Sequence, residues 1–252
     1  MNLSYHISSI YNFCMINKLK EAINSNKNIV FFTGAGMSTD SGIPDFRSET
    51  GLYKTNLRAE EMISHHYFME NTESFYEFYK EKMVFEDARP NFGHQFIADL
   101  EKDPNKHISV VTQNIDGLHQ MAGSSEVYEL HGSIHRNYCM KCNCFYPLKK
   151  IIETNGIPKC DKCGSVIKPD VVLYEEGLDE DTIDGAVKAI ANADLMIILG
   201  TSLNVYPAAS FVSYFRGNCL AIINKSATPA DNQCDIVIHD GISETFKKIV
   251  EK

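Results

Sequence analysis

Ile29-Val30-Phe31-Phe32-Thr33-Gly34-Ala35-Gly36-Met37-Ser38 is a short apolar run that breaks into a glycine-spaced turn. Four consecutive apolar residues fit a strand covered on both faces, because a strand with one wet face alternates with polar residues. Glycines directly after such a strand let backbone amides approach a pyrophosphate, with a helix N-terminus adding positive potential. As a dinucleotide fingerprint the stretch is incomplete, since Thr39 holds the third glycine position and no acidic residue ends a following second strand. Alone it leaves nucleotide binding and a plain tight turn equally open, and it weakens a hydride-transferring dehydrogenase.

Residues 108–112, 195–199, 220–223 and 236–238 repeat the apolar, β-branched character, with helix-compatible segments between them. Polar groups follow these runs: Gln113-Asn114-Ile115-Asp116, then Gly200-Thr201-Ser202, then Asn224-Lys225. The pattern predicts an α/β fold, a Rossmann-like parallel sheet with helices on both faces. Ligands of such sheets bind at the carboxyl ends of the strands, so several strand ends here aim polar groups at one crevice. Residues 15–23 read as the start of a helix; an arm and further helix are both open for residues 1–14.

Two stretches interrupt the alternation. Residues 52–89 carry Phe68, Met69, Phe75, Phe78, Tyr79 and Met83 at roughly helical spacing, a stripe that is core far more often than a cofactor site. Residues 136–168 carry Cys139-x2-Cys142 and Cys160-x2-Cys163, with seventeen residues between the pairs. That spacing reads as a four-thiolate zinc site rather than disulfides. Cys144 offers a competing ligand, but a one-residue gap from Cys142 suits one tetrahedral ion less well. Four thiolates close the shell to water, so the single Zn2+ holds structure and takes no part in chemistry. The expected organisation is a Rossmann-like nucleotide-binding domain from 1–51, 90–135 and 169–252. A helical insertion (52–89) and a zinc-ribbon insertion (136–168) together make a smaller lobe.

At 252 residues the chain can build one substantial core with a satellite module. A net charge of −9 argues against nucleic acid or an acidic membrane surface as partner and mildly favours a cationic peptide. Residues 1–14 lack the features of a signal peptide, and no stretch is long enough to span a membrane. Eight cysteines, four of them in a zinc pattern, suit a reducing compartment, so a cytoplasmic monomer is expected. Cys14, Cys219 and Cys234 lie in or beside apolar stretches and read as buried thiols.

Gly42-Ile43-Pro44-Asp45-Phe46-Arg47 and Thr112-Gln113-Asn114-Ile115-Asp116-Gly117-Leu118-His119 carry the reading further. They are followed by Glu129-Leu130-His131-Gly132, the cysteine knuckles, Pro169-Asp170-Val171-Val172-Leu173-Tyr174, Gly200-Thr201-Ser202-Leu203 and Asn224. In this order the motifs resemble those of the sirtuin family of NAD-dependent protein deacylases, its bacterial-type deacetylases in particular, from about residue 18 to the C-terminus. The resemblance implies NAD as co-substrate, a structural zinc ion, and acetylated-lysine proteins or peptides as partners.

It also implies roles. Gly34, Ala35, Gly36 and Ser38 would line the pyrophosphate and adjoining ribose, and Asp45, Phe46 and Arg47 a loop over the nicotinamide ribose. Gln113 would bond that ribose; Asn114, Ile115 and Asp116 would form the nicotinamide pocket. Gly200, Thr201, Ser202, Asn224 and Lys225 would hold the adenosine end. Val172, Tyr174, Phe46 and Val205 would wall the acyl-lysine tunnel. His131 would be the general base, imidazole having the one unperturbed pKa close to neutrality, with Asn114 and Asp116 as its companions in catalysis. The implied reaction begins when the acyl-lysine carbonyl oxygen displaces nicotinamide from the ribose, and ends with free lysine and O-acyl-ADP-ribose. The protein then needs no nucleophile of its own.

Plainer readings exist for single residues: a hydrogen-bonded structural histidine for His131, a helix N-cap for Asp116, a surface ion pair for Arg47. Family members commonly have Phe-Gly-Glu where this chain has Tyr174-Glu175-Glu176, which predicts a different bend in the substrate segment. Members that prefer succinyl or malonyl groups carry Tyr-x-x-Arg where this chain has Tyr79-Lys80-Glu81-Lys82; lysine is a poor substitute for a bidentate guanidinium, which favours acetyl. The alternatives are a deacylase with another chain preference, a mono-ADP-ribosyltransferase, and an inactive zinc-ribbon scaffold.

Overall fold

The apolar runs become the centre of a sheet. The computed structural model describes residues 3–48 and 51–251. Its strands are β1 (Asn28–Thr33), β2 (His107–Thr112), β3 (Val127–Glu129), β4 (Gly132–Cys139), β5 (Phe145–Pro147), β6 (Ile167–Val171), β7 (Leu195–Leu199), β8 (Cys219–Ile223) and β9 (Ile236–Ile238). Six of them form one sheet in the order β3-β2-β1-β7-β8-β9, every pair parallel. Both faces are buried, as continuous apolar strands require. Ile29, Phe31, Leu195, Ile197 and Leu199 face one core with Leu19, Ile23, Ile97 and Phe246. Val30, Phe32, Met196 and Ile198 face the other, with Ala186, Ile190 and Phe211. The α/β class expected from the runs is the observed one. Strand β3 had no such signal: it is three residues long, Val127-Tyr128-Glu129, none of them fully buried.

Helices Leu3–Ser25, Phe92–Leu100 and Ile242–Val250 supply the first covering layer, and Glu180–Asn192 the second. The first of these settles the alternatives left open before residue 15 in favour of helix. Cys14 on that helix is exposed rather than buried, and Cys219 and Cys234 are half-buried. Among the described residues no helix is long and apolar enough to cross a membrane.

The interrupting stretches share one separate cluster. Phe68, Phe75, Tyr76, Phe78 and Tyr79 from the helical stretch pack with Ile134, Ile151, Ile167, Val171 and Leu173; Met69 of the same stripe is exposed. The aromatic stripe is therefore core. Strands β5, β4 and β6 make a small antiparallel sheet, and the Tyr76 hydroxyl donates to the carbonyl of Ile167 within it. Arg136 on β4 ties the two sheets together: it pairs with Glu129 at the end of β3 and, at 2.7 Å, with Asp170 on β6.

Asn91 caps helix Phe92–Leu100, accepting from the amides of Gly93 and His94, while its side-chain amide donates to the carbonyl of Met37 at 2.8 Å. The helix is thereby anchored to the glycine turn after β1. Its residue His94 is buried with His119, the ring centroids 4.7 Å apart, and His119 Nε2 lies 3.2 Å from the Thr33 hydroxyl. Burial pushes the His94 imidazole down to about 4 and that of His119 well below its ordinary range.

These rings stay neutral in the fold while the unfolded chain takes up protons near pH 6.5. Their contribution is complete above about pH 6.5 and is lost as pH falls towards 4, at about 1.4 kcal/mol per pH unit for each ring. Urea midpoints measured between pH 7 and 4.5 are expected to fall steeply below pH 6.5, and His94→Gln to flatten that slope. A pH-independent midpoint across this window would contradict the assignment.

Candidate active site

The strand order reverses between β1 and β7, and there the two glycine loops leave the sheet, the place where open parallel sheets bind ligands. The loops touch backbone to backbone. The amide of Gly36 donates to the carbonyl of Gly200 at 2.8 Å, and that of Gly34 to Leu199 at 3.0 Å. A Cβ on Gly36 would lie 2.7 Å from the Cα of Gly200, and Gly200 has φ +58°. Both glycines are required by this contact. It also changes their role: their own amides, with those of Met37 and Ser38, are engaged within the chain. Ala35 keeps the uncommitted amide of this turn among the described residues.

A cleft of about 960 Å³ opens from this point. Every residue named in the sequence as binding cofactor or substrate lines it: the turn Gly34, Ala35, Gly36 and Ser38, the loop Asp45, Phe46 and Arg47, and Gln113 to Asp116 after β2. Gly200, Thr201 and Ser202 after β7 do the same, as do Asn224 and Lys225 after β8, His131, Val172, Tyr174 and Val205. The sequence reading missed Tyr53, Thr228 and Asp240, which also line it. Tyr53 could have been found, because it lies seven residues beyond Phe46 in a stretch rich in loop formers, and Asp240 because it follows the apolar run 236–238 by two residues; Thr228 carries no local signal.

Ser38 joins the first turn to the second. Its hydroxyl donates to Asp116 Oδ2 at 2.7 Å and accepts from Asn114 Nδ2 at 3.1 Å. Asp116 Oδ1 accepts the Leu118 amide at 2.9 Å, but the N-cap of that helix is Gly117, so Asp116 stands one residue before the cap position and the N-cap reading does not hold. Burial pushes the Asp116 carboxyl up, against the hydrogen bonds from Ser38 and Leu118. Gln113 Nε2 donates to the Thr201 hydroxyl at 3.1 Å, linking the loops after β2 and β7.

His131 stands after β3, with Gly132 at φ +74°, where a Cβ would lie 1.9 Å from the carbonyl oxygen of Asp170. No other residue permits that approach of β4 to β6, which fixes the histidine at the cleft wall. His131 Nδ1 lies 2.9 Å from the Gln113 carbonyl oxygen. A carbonyl only accepts, so Nδ1 carries the proton and Nε2 keeps its lone pair. Burial lowers the imidazole below its ordinary range, with the bond to Gln113 opposing. The ring is a neutral base at pH 7.

Arg47 lies over the Tyr53 ring at 5.3 Å, and Phe46 packs against the same ring. The Tyr53 hydroxyl lies 2.9 Å from that of Tyr174. The loop before Tyr53 and the segment carrying Tyr174 are thus in direct contact.

Cys139, Cys142, Cys160 and Cys163 come together at one end of the small sheet, all four sulfurs within 4.8 Å of one another. Neighbouring pairs stand 3.4–3.6 Å apart, close to the ~3.8 Å edge of a tetrahedron around zinc with ~2.3 Å bonds. The donor set fits Zn2+ and leaves no position for a substrate.

A family model described as the Sir2 family matches residues 34–207. A protein of Clostridium acetobutylicum named NAD-dependent protein deacetylase is 56% identical over 240 residues, 93% of this chain and 98% of its own length. One of the same name in Cutibacterium acnes is 49% identical over 92% of this chain and 96% of its own length. Among solved structures, a Sir2 protein with deacetylated p53 peptide and 3'-O-acetyl ADP ribose superimposes with a TM-score of 0.85. It is 36% identical and the match covers 93% of this chain and 96% of that one.

Because zinc binding and folding of the small sheet are one event, Cys160→Ala is expected to lose one equivalent of zinc and several degrees of thermal midpoint together, with activity falling in proportion to misfolding. Metal analysis beside calorimetry checks this. A stable, zinc-free and inactive variant would place the metal closer to the chemistry.

Proposed function

Because the chain belongs to the Sir2 family and is an NAD-dependent protein deacetylase, we propose that His131 is its general base and that the residues of the cleft divide the co-substrate and the acetyl-lysine between them. The observation that carries this is the His131 tautomer: Nδ1–H is committed to the Gln113 carbonyl, and Nε2 is left basic on a half-buried ring at the cleft wall. NAD supplies the ribose from which nicotinamide leaves and onto which the acetyl group passes as O-acetyl-ADP-ribose. Nε2 takes the proton of the attacking ribose hydroxyl.

Asn114 and Asp116, locked to each other through Ser38, hold the nicotinamide, with Ile115 as an apolar wall. Gln113 and Arg47 serve the adjoining ribose, and Asp45 and Phe46 exclude water from it. The amide of Ala35 and the small surface of Gly34 and Gly36 receive the pyrophosphate, near Ser38. Gly200, Thr201, Ser202, Asn224 and Lys225 hold the adenosine. Val172, Tyr174 and Val205 face the acyl-lysine, and the backbone of the segment from Val172 to Tyr174 pairs with the peptide. In domain terms we assign the cleft to 1–51, 90–135 and 169–252 together with the insertion 52–89, against which the zinc-ribbon insertion 136–168 packs without lining the cleft.

Acetyl is the preferred acyl group. Lys82, which lines the cleft three residues after Tyr79, is already paired with Glu81 at 2.7 Å and lacks the fork that a carboxylate demands. The partners are acetylated proteins or peptides rather than nucleic acid or membrane, supported by the net charge of −9. The enzyme acts as a monomer in the cytoplasm, where the zinc thiolates stay reduced.

His131→Ala is expected to slow steady-state formation of O-acetyl-ADP-ribose with acetyl-peptide by about 10²–10⁴-fold, the usual range for a lost acid–base group. In the wild type, kcat/KM is expected to rise with pH along a limb below ~6.5 and be flat at neutrality, since the base is lowered by burial. A panel of acetyl, propionyl and succinyl peptides tests the acyl preference, and a succinyl rate above the acetyl rate would refute it. Transfer of ADP-ribose onto protein, in place of O-acetyl-ADP-ribose release, would favour the transferase alternative.

A further inference from the structure

Glu175 stands where family members commonly have glycine, and its φ is +77°. Left-handed backbone is disfavoured for a residue with a Cβ and a long side chain. Asn143 and Leu203 share the sign among the described residues, but asparagine tolerates this region as glutamate does not. The strain persists because the carboxylate is gripped. Its Oε2 accepts the backbone N–H of His66 at 3.1 Å, and its Oε1 accepts from His66 Nδ1 at 2.8 Å.

The same two chain segments are joined on either side of this pair. The amide of His65 donates to the carbonyl of Tyr174 at 3.0 Å, and the amide of Tyr174 to the carbonyl of Ile63 at 3.0 Å. One residue on, Glu176 meets His65 Nδ1 at 2.8 Å and accepts from Lys168 Nζ and the Leu173 amide. On the opposite side, Val172 donates its amide to the His131 carbonyl. The four residues from Val172 to Glu175 are suspended between the general base and the helical stretch, with nothing longer than one residue between attachments.

We propose that Glu175 is a positioning residue for the acyl-lysine peptide. By chelating His66 it holds the segment from Val172 to Tyr174 in its receiving conformation before the peptide arrives. The proposal rests on the deacetylase reading above for the identity of the ligand. A segment ordered in advance does not lose conformational freedom on binding, so the effect appears in affinity. His66 and Glu175 side chains are about half exposed, at 53% and 51%, so water screens their charge. What the pair contributes is geometric, a two-point hold on a residue that would otherwise leave the left-handed region. Glutamine keeps one oxygen for His66 and part of the hold. Glycine removes the strain and the hold together.

Steady-state kinetics and fluorescence-anisotropy binding of a labelled acetyl-lysine peptide are measured on wild type, Glu175→Gln, Glu175→Ala, Glu175→Gly and His66→Ala. The expected result is a peptide KM and Kd raised about fivefold in the Ala and Gly variants and less in Gln, with KM for NAD within twofold of wild type. His66→Ala should match Glu175→Ala, and the double variant should be no worse than either. Glu175→Gly, free of backbone strain, keeps the test valid should Glu175→Ala fold poorly. Peptide Kd unchanged in the Ala and Gly variants overturns the proposal. So does a parallel fall in thermal midpoint, NAD affinity and peptide affinity, which would mark a purely structural role. A wild type that binds the peptide without releasing nicotinamide would overturn the deacetylase reading and leave this one standing on the binding data.

Discussion

Two backbones pass within contact distance at Gly36 and Gly200, and the rest of the site is arranged around that approach. A side chain at either position would force β1 and β7 apart. Because these strands are neighbours at the point where the strand order reverses, separating them would break the crevice itself. The hydrogen bonds of the turn follow from the same contact: the glycine amides face Leu199 and Gly200, which leaves Ala35 as donor to a ligand. Glycine here serves chain against chain first, and phosphate second.

Around this contact the polar groups satisfy one another in a definite order. The Ser38 hydroxyl is donor to Asp116 and acceptor from Asn114, so neither side chain can rotate alone. A buried carboxylate without partners would be protonated or displaced; with two donors it stays in place although burial raises its pKa. His131 has the complementary arrangement, with one nitrogen bound and one open. The contrast is one of commitment: Asp116 has both carboxylate oxygens engaged, and His131 has kept a lone pair.

Much of this was legible in the sequence, because the signals were local and redundant. Five apolar runs, each ending in polar residues, are enough to infer a parallel sheet with its ligand edge, and the cysteine spacing is enough to infer a tetrahedral thiolate site. Strand β3 was not legible, since three half-buried residues without an apolar run owe their strand to pairing with β2. Nor was Thr228, which reaches the cleft from the loop after β8. The exposure of Cys14 shows the limit of reading burial from neighbours in sequence, because a helix turns every fourth residue outward. Glu175 illustrates a different limit. Its substitution for glycine suggested a changed bend, and only the coordinates reveal a left-handed glutamate kept there by His66.

The two insertions bear on the position of His131 from outside the parallel sheet. The zinc thiolates fix one end of the β5-β4-β6 sheet, and Gly132 pins the other end against Asp170. Arg136 then links that sheet to Glu129, two residues before His131. His131 therefore sits at the junction of two sheets tied by an ion triad and a glycine contact. The segment from Val172 to Tyr174 is hung from the helical stretch by the Tyr174 backbone and by the Tyr53 hydroxyl. The stretch Phe46-Arg47 and the segment from Val172 to Tyr174 are therefore joined through Tyr53, whose ring carries the first and whose hydroxyl meets the second.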